Sequence, residues 1–215
     1  MATVRRRIAA AGGDPGRIRV VAVTKGFGAA AARAALAAGL TDVGENYADE
    51  LLAKAPALAL PPGTPGPTWH FLGRVQRRKV ARLAPVVAWW QGLARVVEAE
   101  AIARHRPGAT VLVEVDVTAV PGRNGSRPAE VPALVDAARR CGLDVRGLMT
   151  VAPRLPDEAR RAFALVRALA DRLGLPECSM GMSDDYELAV GEGATMVRLG
   201  RVLFGPRPGG EPPGA

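Results

Sequence analysis

Eight short apolar runs alternate with seven helix-patterned segments along the chain, and this alternation restricts the fold more than any other feature. The runs are 19–23, 42–46, 68–73, 86–90, 110–117, 144–151, 177–181 and 196–200; the segments between them are 29–38, 47–54, 76–83, 94–105, 128–140, 157–173 and 184–192. Successive strands separated by helices pair in parallel, because each crossover returns the chain to the same end of the sheet. At 215 residues the choice lies between an open doubly wound sheet and a closed (β/α)8 barrel. Eight strands favour the barrel, although the chain is shorter than the ~250 residues typical of that fold. The expected fold class is therefore α/β, a single TIM-type (β/α)8 barrel over residues 1–205. The Pro/Gly-rich stretch 61–67 reads as a loop, and 206–215 reads as a disordered tail. Gly39, Gly142 and Gly174 follow helix-patterned segments, where a left-handed cap is expected. Ala129, Leu134, Val135, Ala138 and Cys141 form an expected apolar stripe.

In parallel α/β folds the reacting groups belong at the carboxyl ends of the strands. Lys25, Glu45-Asn46, Gly73, Met149 and Gly200 fall there. Lys25 stands out through composition. Of 29 basic residues 26 are arginine, and only Lys25, Lys54 and Lys79 are lysine. A chain this biased uses arginine wherever a positive charge suffices. A lysine at the end of an apolar strand therefore points to chemistry that a guanidinium cannot do. An amine can lose its proton and condense with an aldehyde as a Schiff base; a guanidinium stays protonated.

Three further segments carry polar groups toward the same end. Asn46 is either a helix cap or an amide for a ligand. Ser183 sits where a strand turns into a helix, and its hydroxyl with the free N–H groups there suits a phosphate; the alternative is a Ser or Asp N-cap. Gly200 lets backbone approach a ligand closely, and Arg198, two residues earlier, shares its strand face. An arginine inside a barrel is costly unless it is paired or binds something. An amine, a phosphate cradle and an arginine between them suit an aldehyde that carries a phosphate, and pyridoxal 5'-phosphate is the obvious candidate. His70, in an aromatic-rich strand, reads more readily as a hydrogen-bonded structural residue than as a catalyst. With His105 the only other histidine, no histidine metal cluster is available.

The bulk properties narrow the partners. The net charge of +8 raises nucleic acid as a partner, but the arginines are spread along the whole chain with acids nearby, which favours a solvated surface. No stretch approaches the ~18 consecutive apolar residues of a membrane span, and no signal peptide is read at the N-terminus. Cys141 and Cys178 lack metal-ligand spacing and suit reduced thiols in the cytoplasm.

Read together, AVTKG at 22–26, GENYADE at 44–50, WHFLGRVQRRKV at 69–80, VLVEVDV at 111–117, RGLMTV at 146–151, SMGMSDD at 179–185 and GATMVRLGRVLFG at 193–205 closely resemble the pyridoxal phosphate homeostasis protein family. The resemblance covers nearly the whole chain and implies the alanine racemase N-terminal barrel. It implies that Lys25 carries pyridoxal phosphate as a Schiff base. Ser183 and the backbone N–H groups of Gly200 and Arg201 would bind the phosphate, Arg198 would face the pyridine nitrogen, and Asn46 would lie near Lys25. It also implies cofactor homeostasis or delivery without strong turnover, with apo pyridoxal-phosphate enzymes as recipients and a monomeric state. Phe27, Arg78, Ala94 and Arg123 depart from the family pattern. Phe27 and Arg123 stand near positions where members carry secondary lysines.

Two alternatives stay open at this stage. One is a pyridoxal-phosphate racemase or lyase; a racemase of this fold needs a second acid/base group, and neither Tyr47 nor Tyr186 has the context for it. The other is an arginine-rich barrel that binds nucleic acid or protein through a vestigial site.

Overall fold

The computed structural model of the chain describes residues 1–58, 66–118 and 120–207. The expected tail at 206–215 lies mostly outside these residues, as does most of the expected loop at 61–67.

A short helix α1 (Ala2–Ala10) leads into strand β1 (Arg19–Val23), followed by α2 (Ala29–Ala37) and β2 (Asp42–Glu45). Then come α3 (Ala48–Ala57), β3 (Thr68–Phe71), α4 (Arg77–Leu83), β4 (Val87–Leu93) and α5 (Val96–His105). The second half runs β5 (Thr110–Val115), α6 (Val131–Arg140), β6 (Asp144–Thr150), α7 (Pro156–Arg172), β7 (Glu177–Ser179), α8 (Tyr186–Gly191), β8 (Met196–Leu199) and α9 (Arg201–Phe204). Strands β1 to β8 are parallel neighbours in sequence order, and β1 closes against β8 through Ala22 opposite Leu199. The molecule is the closed (β/α)8 barrel expected from the alternation.

Strand side chains alternate between two environments. Val20, Ala22, Val43, Phe71, Trp90, Val111 and Leu148 face outward and pack with helix residues such as Leu51, Val80, Ile102, Leu134, Phe163 and Ala189 in one apolar layer. Helix α6 lays Val131, Leu134, Val135 and Ala138 into that layer. Ala129 departs from the expected stripe: it is exposed and precedes the helix, because α6 begins at Val131. Gly39, Gly142 and Gly174 adopt φ of 77°, 81° and 63°, the left-handed caps expected of them.

The largest difference from expectation is in β4. The sequence pattern ends that strand at Trp90, where the apolar run stops before the polar Gln91. The strand instead runs on to Leu93. Gln91 is fully buried and hydrogen-bonded inside the barrel. At Gly92 a β-carbon would lie 2.3 Å from the carbonyl oxygen of Gly73, so only glycine lets the strand ends come this close. Helix α9 was not expected either; four residues carry too little periodicity to be legible.

Candidate functional site

A cavity of about 930 Å³ opens at the carboxyl ends of the strands. All six residues singled out from the sequence line it or flank its opening: Lys25, Asn46, Ser183, Arg198, Gly200 and Arg201. Lys25 follows β1 by two residues, and the backbone on either side of it is clamped. Lys54 Nζ donates to the carbonyl oxygen of Thr24 at 2.8 Å, and Glu50 Oε2 accepts the N–H of Gly26 at 2.9 Å. Lys54 Nζ also donates to Glu45 Oε1 at 2.5 Å and Glu50 Oε2 at 2.8 Å, and Thr24 Oγ1 donates to Glu45 Oε1 at 2.6 Å. Two of the three lysines are thus ion-paired, Lys54 in this buried cluster and Lys79 to Asp49 at 2.6 Å.

Lys25 is half-buried at the cavity wall. Burial pushes its amine below the ordinary lysine range. The cations Arg207 and Arg198 push the same way, against the carboxylates of Glu45 and Glu50. A lowered pKa enlarges the neutral, nucleophilic fraction at neutral pH. Asn46 is not the helix cap; Tyr47 occupies that position, and Asn46 lines the cavity. The carbonyl of Asn46 is seated against Gly73, where a β-carbon would lie 2.0 Å from its oxygen.

Two strands round the barrel from β1, Ser183 lies in the turn between β7 and α8, and its Oγ accepts the N–H of Val202 at 3.3 Å. This brings the hydroxyl to the start of α9, where a helix's first N–H groups lack intrahelical acceptors. Gly200 caps α9, and Arg201 pairs with Asp184. Asp185 Oδ1 accepts the N–H of Met182 at 2.5 Å and fixes the turn.

Arg198 is buried in the wall of the cavity. Its guanidinium donates to the Ser179 carbonyl at 2.6 Å, to Ser179 Oγ at 2.9 Å and to the Thr150 carbonyl at 2.6 Å. Three of its five N–H donors are therefore committed to β6 and β7. Burial lowers its pKa to about 10, against the charges of Glu114 and Asp185, and it remains a cation at neutral pH.

The sequence reading missed several cavity residues. Arg207 lies against Gly26, where a β-carbon would meet its Cδ at 3.0 Å, and it places a second guanidinium near Lys25. Glu114, on β5, accepts from Asn124, and burial raises its carboxyl above the ordinary range despite that bond and the charges of Arg198 and Arg123. Both sit in stretches that read as a tail and as an alternating strand, so no pattern marked them. Tyr47 is exposed and Tyr186 is buried; neither lines the cavity. Among the described residues no group of His, Cys, Asp or Glu is arranged to hold a metal ion, and no helix is long and apolar enough to cross a membrane.

The donor set suits a phosphorylated aldehyde: a depressed amine on one wall, a hydroxyl beside a helix start on another, and a pinned guanidinium between them. Residues 4–208 match the alanine racemase N-terminal domain family. The chain is 40% identical over 220 residues to the pyridoxal phosphate homeostasis protein of Pseudomonas aeruginosa, covering 98% of this chain and 94% of that protein. It is 41% identical over 213 residues to the protein of the same name from Deinococcus radiodurans, covering 95% and 97%. The structure of Synechococcus elongatus PipY with PLP bound superimposes with a TM-score of 0.80 at 33% identity, over 94% of this chain and all of that one. An alanine racemase from Clostridium difficile shares the fold, with a TM-score of 0.70 at 14% identity over 93% of this chain and 55% of that one.

Proposed function

Since the chain belongs to the pyridoxal phosphate homeostasis proteins, built on the alanine racemase N-terminal barrel, we propose that it binds pyridoxal 5'-phosphate as a Schiff base on Lys25. We further propose that it takes part in holding and delivering the cofactor inside the cell, without strong turnover. The observation that carries this reading is the convergence of Lys25, Asn46, Ser183, Arg198, Gly200 and Arg201 on one cavity. The binding unit is the barrel of residues 1–205 with Arg207 folded onto its mouth. The protein is read as monomeric and cytoplasmic, and the recipients as apo forms of pyridoxal-phosphate enzymes.

When bound, pyridoxal phosphate supplies an aldehyde for an amine and an electron-withdrawing ring. The chain's own residues do the rest. Lys25 presents an amine whose pKa is lowered by burial and by neighbouring cations, while the Lys54 cluster fixes the backbone on both sides of it. Ser183 and the start of α9 offer hydrogen-bond donors to the phosphate. Arg198 offers the ring nitrogen a cationic N–H donor. A carboxylate at that position would stabilise a protonated ring nitrogen, whereas a guanidinium keeps its own proton and does not protonate it. Ring electron withdrawal would then stay restrained, as suits a carrier.

The test is direct. Pyridoxal phosphate is added, the mixture is reduced with borohydride, and digested peptides are mapped by mass spectrometry. A phosphopyridoxyl group on Lys25 that disappears in Lys25→Ala supports the reading. No adduct, or one spread over Lys54 and Lys79, overturns it.

The catalytic alternative rests on Glu114 and Asp185, two cavity carboxylates raised by burial. It requires deuterium exchange at the α-carbon of an amino acid that vanishes in Lys25→Ala. Exchange no faster than with free cofactor, across a panel of amino acids, removes it.

A further inference from the structure

Beneath the cavity a line of polar side chains crosses the barrel interior. At the floor, Asp42 Oδ1 lies 2.8 Å from His70 Nε2. His70 Nδ1 lies 2.7 Å from Gln91 Nε2, and Gln91 Oε1 accepts from Ser179 Oγ at 2.6 Å. Ser179 Oγ in turn accepts from Arg198 at 2.9 Å. His70, Gln91 and Ser179 are each fully buried. Strands β2, β3, β4, β7 and β8 contribute one residue each.

Both ends of this line have a fixed polarity. A guanidinium can only donate and an ionised carboxylate can only accept. Ser179 receives a hydrogen from Arg198, so it gives its own to the Gln91 oxygen. The Gln91 amide nitrogen then faces His70 Nδ1 as donor, and the His70 hydrogen sits on Nε2, aimed at Asp42. Each bond has a donor and an acceptor in only one direction, from the cation at the cavity to the carboxylate at the floor. Aligned bonds of this kind polarise one another in a low-dielectric interior. Gln91 Nε2 also reaches Met196 Sδ at 3.0 Å, so its amide is held from three sides.

We propose that Asp42 and His70 are positioning residues for Arg198, acting through Gln91 and Ser179 on a guanidinium they never touch. This rests on the reading that Arg198 faces the cofactor ring. The ionisation states agree with it. Burial pushes the His70 imidazole below its ordinary value, against Asp42, and keeps it neutral at neutral pH. Burial raises the Asp42 carboxyl, but the hydrogen bond from His70, with Arg19, outweighs that and leaves it below its ordinary value. Removing Asp42 frees His70 to take its other tautomer, which reverses Gln91 and removes the acceptor for the Ser179 hydrogen. Ser179 then loses the orientation that suits Arg198.

Two measurements test the relay. The first uses ¹⁵N-histidine NMR on protein without cofactor; the only other histidine, His105, is exposed and serves as the reference signal. His70 is expected as the Nε2–H tautomer, and its Nδ1 resonance is expected to shift in Ser179→Ala, although Ser179 does not touch it. The second titrates pyridoxal phosphate by absorbance. Asp42→Ala is expected to move the absorption band of the bound cofactor and raise Kd roughly two- to tenfold. Asp42→Asn, which keeps an oxygen acceptor for His70, is expected to restore both. A purely structural role lowers the melting temperature without moving the band. An unchanged band and Kd in Asp42→Ala, or an unchanged His70 signal in Ser179→Ala, overturns the proposal. If the wild type takes up no pyridoxal phosphate, the cofactor reading falls, and the NMR experiment still decides the relay.

Discussion

Replacing Lys54 with methionine tests the cluster beside Lys25 most sharply. Methionine keeps most of the aliphatic stem, so the substitution removes a charge and little volume. The lysine side chain is 7% exposed and Glu45 is fully buried. Glu45 Oε1 would keep only the Thr24 hydroxyl, and Oε2 already has no hydrogen-bond partner among the described residues. The Glu50 contact weighs less, since that side chain is a third exposed. Leaving one half of a buried ion pair uncompensated costs about 3–5 kcal/mol. For a chain of this size that corresponds to a fall in Tm of roughly 6–20 °C. The pH dependence supplies a second signature. Burial already raises the Glu45 carboxyl above its ordinary value, against the bonds from Lys54 and Thr24. Without Lys54 it rises further, so the folded state binds more protons than the unfolded state between the unfolded and folded pKa values. Stability in the variant then falls as pH rises through that window, and the deficit shrinks in acid. Thermal melts of both proteins at pH 5 and pH 8 measure it. Adding Glu45→Gln should recover a large part of the loss by removing the stranded charge. A Tm within about 2 °C of wild type at pH 8 would refute the reasoning, because it would mean that Glu45 is not a charge that needs Lys54.

Three further outcomes follow from the cavity. Ser183→Ala should weaken pyridoxal phosphate binding by about 1.5–3 kcal/mol, the value of one hydrogen bond to a charged group, and titration by absorbance reads it directly. An unchanged affinity would mean the phosphate sits elsewhere. Gly73→Ala should lower Tm by roughly 2–12 °C, because a β-carbon 2.0 Å from the Asn46 carbonyl forces backbone apart; melting at wild-type temperature would contradict that packing. The rate of borohydride-trapped adduct formation on Lys25 should rise with pH and reach its half-maximum below the ordinary lysine value of 10.5, since only the neutral amine attacks. A half-maximum at or above that value would show that burial and the arginines do not depress the amine.

The barrel was legible because its signal is repetitive. Each strand and helix repeats the same switch of period, so an error of two or three residues at an end does not change the topology. The cavity residues at strand ends were legible for a related reason: the fold class fixes where function sits before any side chain is seen. What the sequence hid depends on register and on contacts between distant residues. Gln91 fell outside the apolar run that marked the fourth strand, because a buried amide is intelligible only once His70 and Ser179 are known to flank it. Arg207 sat in a stretch whose composition signals a tail, and only its approach to Gly26 marks it as part of the cavity wall. Glu114 occupies one position in an alternating strand, where alternation alone cannot separate a solvent-facing acid from one turned into the barrel.

The scarcity of lysine has a consequence for the protein's life among small metabolites. Reducing sugars and dicarbonyls glycate whatever uncommitted amines a protein offers. Here Lys54 is enclosed by two carboxylates and Lys79 is tied to Asp49. A surface that draws its charge from guanidinium groups offers simple aldehydes few side-chain amines to attack. On the reading proposed above, the arginine bias leaves Lys25 as the one lysine outside an ion pair among the described residues, and arginine-seeking dicarbonyls as a class of damage to which the surface is open.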